Sequence, residues 1–540
     1  MSTIKKNLPS ALDRVETTNI GSITNERLGY EVQIQPNRRM STILFLSLSI
    51  SAIPYGFGSS LLNAVYGGGQ LPLFIGLLVV LLLDACVALS LSELASRYPA
   101  SSGVYYWTFR LMKIEGRKRR FLSFTTGWLW MIGHWTITLS VNFGLASMLA
   151  ATVSIFEPEW EATTWQLLLI FWASCLLTST ICSTCNGLLP MIDTMAAVFI
   201  LVTTLAIAIA VSATAKSGRH SASFALTHFD PSMSGWGNFG FFIGLLPPAY
   251  TFSALGMATS MAEECTDPEI QLAQAISLVP VIGGMISLLF VLPLCFTLPP
   301  LTDIAAHTMY NQPLPSILYT ITGSLGLTVF LMVLVLLVTF FCAISITTTA
   351  SRCTWAFSRD NALPVSRWWS QTVHGQPLPA LILVTMVEML LGMIYLGSSS
   401  AFTAFASVGV IALAASYGVP LAISIFTRRD EVNKARWRMP HGVGLVVNSV
   451  ALLWILFQVV LFCMPVGIPV TSTSMSYASV VFLGLLTLSI LWYLYYARRS
   501  KCKRSSTIVS DLTFSFSFQR PAGGDLSGRT RYLLAGFKLP

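Results

Sequence analysis

The sequence predicts an all-α integral membrane protein with twelve transmembrane helices. Three observations predict it. Of 540 residues, 54% are hydrophobic and 10% charged, against about 25% charged in soluble domains. The apolar residues fall in long runs, and about 20 such residues in a helix cross roughly 30 Å of hydrocarbon. The basic residues gather in connections that lie on one side of the resulting topology. This composition excludes a disordered chain, a collagen, a nucleic-acid-binding protein and most cytosolic enzymes. The formal charge of +9 suggests a nucleic-acid partner only until the positions of the charges are read.

In chain order, the predicted spans are Ser41 to Tyr66, Leu71 to Ala95, Phe121 to Ser154, Thr163 to Cys182, Leu188 to Ala213 and Asn238 to Ala262. They continue with Leu272 to Leu298, Ile321 to Ala350, Leu378 to Leu396, Ala401 to Phe426, Val443 to Met464 and Ser476 to Ala497. Residues 1–40 form a polar tail, 41–497 one membrane domain, and 498–540 a Ser-rich basic tail. No cleavable signal precedes the first span. Thirty of the thirty-two Lys and Arg fall in the tails and in the two–three, eight–nine and ten–eleven connections. Only Lys216 and Arg219 fall on the other side, and none is assigned to a span. The basic excess marks the cytoplasmic side, so both termini are expected there. The cluster Arg498, Arg499, Lys501, Lys503 and Arg504 would face anionic lipid headgroups, or serve as a plain stop-transfer flank. Cys182 and Cys185 form a CxxC at the end of an apolar helix, which reads as buried small hydrophobes rather than a metal or redox site.

Two spans are interrupted in their middles. In SAIPYGFGSS, Pro54 removes a backbone donor and Gly56 and Gly58 weaken the helix. In GLLPPAYTFSALGMATS, Pro247 and Pro248 precede Ser253 and Gly256. Freed backbone groups cost several kcal/mol each in lipid, so such a break must line a cavity or be buried in protein. Taken singly, each is an ordinary proline kink. Together they sit in spans one and six, the first helices of two five-helix sets, which points to an inverted-repeat transporter and its substrate site. Half-helix ends would meet a carboxylate and an ammonium.

At these residues the chain resembles the amino acid–polyamine–organocation superfamily, and within it the fungal amino acid/choline transporter group. The resemblance rests on SLSELASRYPASSGVYYWT (Ser90 to Thr108), FIGLLPPAYTFSALGMATSMAEECTDP (Phe242 to Pro268), TWAFSRDNALP (Thr354 to Pro364) and IPVTSTSMSY (Ile468 to Tyr477). It covers roughly Arg39 to Arg499 and leaves the tails outside. It implies a five-plus-five inverted-repeat fold with two extra C-terminal helices. It further implies secondary transport of amino acids, GABA, choline or polyamines across a fungal plasma membrane. The substrate-binding residues it implies are Ile53, Pro54, Tyr55, Gly56 and Phe57, with Tyr250, Phe252, Ser253, Ala254, Leu255 and Gly256. Many bacterial relatives carry Gly-Ser-Gly in helix one where this chain has Pro54-Tyr55-Gly56, so Tyr55 narrows the site or stacks on the substrate.

Ionisable groups inside spans are costly and usually functional. Asp84 and Glu388 lie mid-span as proton-coupling or ammonium-pairing candidates; the plain alternative is a protonated carboxyl bonded to a neighbouring helix. Helix two belongs to the moving bundle of this fold, which favours Asp84. Glu263 and Glu264 end span six and are candidates for gating with a basic residue near Arg38. Asp193 is expected at the interface. His134 either lines the cavity and titrates near neutrality or is a satisfied core histidine. Ser345, Thr347, Thr348 and Thr349 crowd one turn of span eight, where sodium sites of this fold lie; hydroxyls bonding their own helix are the commoner case. Tyr55, Phe57, Trp135, Tyr250 and Phe252 either surround a quaternary ammonium or simply pack.

The expected function is therefore a permease for an amino acid or related amine, working by alternating access with proton coupling or exchange. A transporter-like nutrient sensor is the alternative, and a membrane-embedded enzyme a weaker one, since the six histidines form no catalytic pattern. The expected partners are the small solute, membrane lipid and H+, with no nucleic acid, cofactor or metal.

Overall fold

The computed structural model describes residues 34–497 apart from 35, 115 and 472–474; both tails, with the basic C-terminal cluster, lie outside the described residues. The described residues are helical and contain no strand. Among the described residues, twelve helices are long and apolar enough to cross a membrane: Met40–Tyr66, Gln70–Arg97, Arg117–Phe156, Thr164–Thr184, Asn186–Thr214, Gly237–Glu264, Pro268–Thr297, Leu325–Arg359, Leu378–Leu396, Ser407–Phe426, His441–Leu461 and Ala478–Tyr495. We number them as spans one to twelve.

Packing repeats with a shift of five. Span one packs on six, two on seven, three on eight and four on nine. The three–four contact recurs as eight–nine, three–ten as eight–five, and one–seven as six–two. Spans one, two, six and seven thus form one bundle and three, four, eight and nine a second, with five and ten joining them. Span eleven packs on ten and two, and span twelve on ten and three.

Several expectations change. Span eight begins later than Ile321, because Leu314–Thr322 is a separate helix that ends at Gly323 in the left-handed region. It runs on past Ala350 to Arg359, so Arg352 is a buried helical residue rather than part of a connection. Its charge is met inside the protein, which is why the helix can continue through it. Asp193 is also buried rather than interfacial, because Arg38 reaches it at 2.6 Å. The two–three connection holds a further helix, Gly103–Leu111.

Candidate functional site

Span one is two helices, Met40–Ser51 and Ile53–Tyr66, hinged at Ala52 with φ 38°. A left-handed alanine is strained by roughly 1–2 kcal/mol, so the surroundings must hold it. Pro54 occupies the first turn of the second helix, where its missing N–H costs little. The next two donors turn inward: Tyr55 N–H and Gly56 N–H both reach Ala52 C=O, at 2.8 and 2.9 Å. The Ile50 carbonyl accepts from Cys342 Sγ of span eight at 3.2 Å.

Span six breaks on both sides of its prolines. Pro247 and Pro248 start the short helix Leu246–Phe252, and the chain turns at Ser253 and Ala254 before a 3-10 helix, Leu255–Glu264. Gly56 lets the halves meet, because a Cβ there would lie 2.7 Å from Thr251 Oγ1.

Beside the breaks lies a cavity of about 370 Å³. Tyr55 and Tyr250 line it, one from each broken span. Their hydroxyls meet at Ser140 of span three: Ser140 Oγ is 3.1 Å from Tyr250 Oη, and Tyr55 Oη donates to Ser140 C=O at 3.5 Å. Gly144, one turn on, leaves room for the Tyr55 hydroxyl; any Cβ there would collide with it. Asn63, Gln312 and Tyr477 also line the cavity. Among the described residues, no lining residue carries a charge, and six present aromatic rings: Tyr55, Phe143, Tyr250, Tyr310, Phe462 and Tyr477.

The opposite end, the Arg38 face, is closed by ions. Arg38 pairs with Asp193 at 2.6 Å and with Glu264 at 3.1 Å. Arg352 holds the other Glu264 oxygen at 2.9 Å and Asn186 Oδ1 at 2.6 Å. Asp193 also accepts from Ser345 at 2.8 Å, and Ser345 Oγ is 2.8 Å from Ser49 Oγ. Arg359 grips Glu263 with both nitrogens, at 2.7 and 3.0 Å. Burial alone would lower the Arg38 guanidinium, but Asp193 and Glu264 outweigh it and hold it above its ordinary value.

The other expected residues sit apart from the cavity. Ile53, Pro54, Gly56 and Phe57 are buried in packing. Phe252 faces Gly283 of span seven, Ser253 Oγ donates to Tyr250 C=O at 2.8 Å, and Gly256 lies under the Tyr417 ring. Ala254 and Leu255 form the turn into the 3-10 helix. Asp84 accepts from Trp454 Nε1 of span eleven at 2.7 Å. Glu388 accepts from Asn142 at 2.9 Å and Cys175 at 3.5 Å, among spans three, four and nine. His134 is fully buried, with Nδ1 2.9 Å from Trp130 C=O. Thr348 and Thr349 bond their own helix, while Thr347 Oγ1 has no partner among the described residues. Sequence reasoning missed Ser140, Gly144, Cys342 and Asp193 as site neighbours. A small-residue face on span three (Ser140, Gly144, Ser147) was the legible signal.

A twelve-span helical protein whose helix pairing repeats with a shift of five spans, with a cavity beside two broken spans, is a membrane transporter. Residues 40–486 match the amino acid permease family, and the chain belongs to that family. It is similar to the choline transporter of Saccharomyces cerevisiae, 29% identical over 474 residues, with 87% of this chain and 83% of the relative covered. A polyamine transporter of the same yeast is 27% identical, with 82% and 72% covered. An amino-acid permease of Arabidopsis thaliana is 26% identical, with 91% and 97% covered. The family and its relatives are transporters, not enzymes.

Proposed function

We propose that this chain is a secondary active carrier of a small amine, from the class of amino acids, GABA, choline and polyamines. It works by alternating access, with proton coupling or exchange, in the plasma membrane with both tails cytoplasmic. The observation that carries this reading is the cavity beside the two breaks, lined by Tyr55 and Tyr250, with buried ion pairs at the Arg38 end of the same two spans. The solute enters beside Tyr55 and Tyr250 while the Arg38 lattice is shut. Rocking of spans one, two, six and seven then opens the lattice to the Arg38 face.

The lattice is built to separate cheaply. Arg38 and Glu264 travel together, because the chain at Arg38 is hydrogen-bonded along the backbone to the end of span six. Asp193 and Arg352 stay with spans five and eight. Around Glu264 each half keeps one acid and one base, while the Glu263–Arg359 pair divides into one acid with span six and one base with span eight. Coupling to protons would use Asp84 or Glu388, each with one buried oxygen lacking a partner among the described residues.

The lining favours a solute with one compact positive charge, or none net. Several ammonium groups would need carboxylates, and a buried unpaired charge is expensive. Aromatic faces attract one cation by about 0.5–2 kcal/mol each. Uptake of labelled solutes, with competition by neutral amino acids, GABA, choline and spermidine, tests the reading. Accumulation blocked by choline or a neutral amino acid and spared by spermidine is expected. No accumulation of any of them, with the protein at the cell surface, contradicts transport.

A further inference from the structure

Span two is fastened to span eleven by buried polar ties that the five-plus-five repeat does not require. Nearest the Arg38 face, Glu93 Oε1 accepts from Arg429 Nη2 at 2.5 Å and from Met439 N–H at 2.6 Å. Both charged side chains are fully buried. Arg429 also donates to His441 C=O at 2.9 Å, and it lies so close over Gly444 that no Cβ fits there. Deeper in, Ser90 Oγ donates to Asn448 Oδ1 at 2.8 Å, and Trp454 Nε1 donates to Asp84 Oδ1 at 2.7 Å. The ties descend span two as they ascend span eleven, as antiparallel helices in fixed register require. From Glu93 to Asp84 they cover ~14 Å of helix.

The connection that carries Arg429 is itself held in a costly shape. Arg428 and Arg429 are successive left-handed residues, at φ 54° and 59°. Such strain persists where the surroundings over-determine it. Here they do: Glu431 binds Arg97 at 2.7 Å and Tyr98 at 3.0 Å, and Trp437 N–H reaches Ser96 Oγ at 2.9 Å.

Motion would treat this seam differently from the Arg38 lattice. When the four groups around Glu264 part, Glu264 keeps Arg38 and Asp193 leaves on the side of Arg352, so each side of that cluster stays neutral. Pulling span two off the seam would strand a buried carboxylate on one side and a buried guanidinium on the other, which is strongly unfavourable. On the transport reading above, we infer that span two is the pivot of the mobile helices and stays bound to span eleven throughout the cycle. Glu93, Arg429, Asp84 and Trp454 are its positioning residues, and span eleven is part of the moving machinery rather than an appendage.

Two distances test this in the full chain reconstituted in lipid, using spin labels on non-native amino acids. Leu82 and Leu453 are lipid-facing positions on spans two and eleven, and Met285 and Leu390 on spans seven and nine. Adding saturating choline or amino acid should change the Met285–Leu390 distance and leave Leu82–Leu453 fixed. A Leu82–Leu453 distance that changes as much overturns the pivot, and so do two distances that both stay fixed. A chain that carries no solute removes the transport reading, while exchange of pH 5 for pH 8 buffer, with the same distance criteria, still decides the seam. As a second readout, Trp454→Phe keeps the ring and removes the donor. It should lower the uptake rate at saturating solute without raising the half-saturating concentration. An unchanged rate, or a rise in half-saturating concentration alone, overturns the assignment.

Discussion

The Glu264 lattice and the Glu93 seam are both buried ionic assemblies at the same end of the molecule, yet they divide differently. Glu264 shares two arginines that belong to different bundles, so its bonds have a natural parting line. Glu93 has one arginine and one main-chain donor, both from a single connection. Burial alone therefore does not tell a gate from a hinge. What distinguishes them is whether the central acid keeps a basic partner when the contact opens: Glu264 keeps Arg38, whereas Glu93 would lose Arg429.

The comparison is broken most severely by Glu264→Ala. Among the described residues it takes the only carboxylate from Arg352 and leaves Arg38 with Asp193 alone, and removing one partner of a buried ionic group costs about 3–5 kcal/mol. Melting of the purified protein should fall steeply. Survivors should expose the Arg38 face to a membrane-impermeant cysteine reagent on Ser49→Cys. A melting point equal to the parent's would remove the lattice as a closing element. Glu263→Arg combined with Arg359→Glu should recover uptake that either change alone loses, and lack of recovery would mean that the pair does not act across the gate.

Gly256→Leu comes next. A Cβ at Gly256 lies 2.6 Å from the Tyr417 ring, so the 3-10 half of span six cannot seat. Uptake should be lost while the protein still reaches the membrane; normal uptake would separate the span-six break from transport.

Asp84 sharpens the comparison, because it belongs to the seam and carries a second, unpartnered oxygen. Asp84→Asn keeps the acceptor for Trp454 and removes the proton site. It should reduce pH-driven uptake more than exchange, whereas Asp84→Leu should reduce both. Equal pH dependence in parent and Asp84→Asn would remove Asp84 as the proton carrier and leave it as a tie.

The smallest effect is expected at Glu431→Gln, a partly exposed ion pair of a kind worth about 0–1 kcal/mol. Burial would raise the Glu431 carboxyl, but hydrogen bonds from Lys434, Arg97 and Tyr98 outweigh it and bring it down to about 2. A depressed carboxylate contributes stability above its unfolded value, about 4.3, and loses it only as pH falls toward about 2. Melting curves between pH 7 and pH 5 should thus show no Glu431-dependent change; a difference between parent and variant that varies across that range would contradict the assignment.

Much of the fold was legible because span length and charge placement are local signals. The apolar runs fixed twelve spans, and Pro54 and Pro247 marked the interrupted ones. The point of rupture in span one was not legible, since nothing in an alanine announces a left-handed φ at Ala52. The ionic partners were invisible for another reason. Arg38 meets Asp193 across 155 residues of sequence, and Arg429 meets Glu93 across 336. Glu93 stood within a quoted motif, but only the folded packing shows which charge answers it. The cavity behaves likewise: Tyr55 and Tyr250 come from the breaks, whereas Tyr310, Gln312 and Tyr477 come from connections that no periodicity places there.

Equilibrium binding of labelled choline and of a labelled neutral amino acid to the purified full chain, and to its Gly144→Val variant, measures the cavity itself. The added side chain takes the space of the Tyr55 hydroxyl and drives that ring into the cavity. Saturable binding of at least one ligand to the parent, lost in a variant that melts as the parent does, is the predicted result. Equal binding by a variant of unchanged stability would place the solute elsewhere and contradict the account.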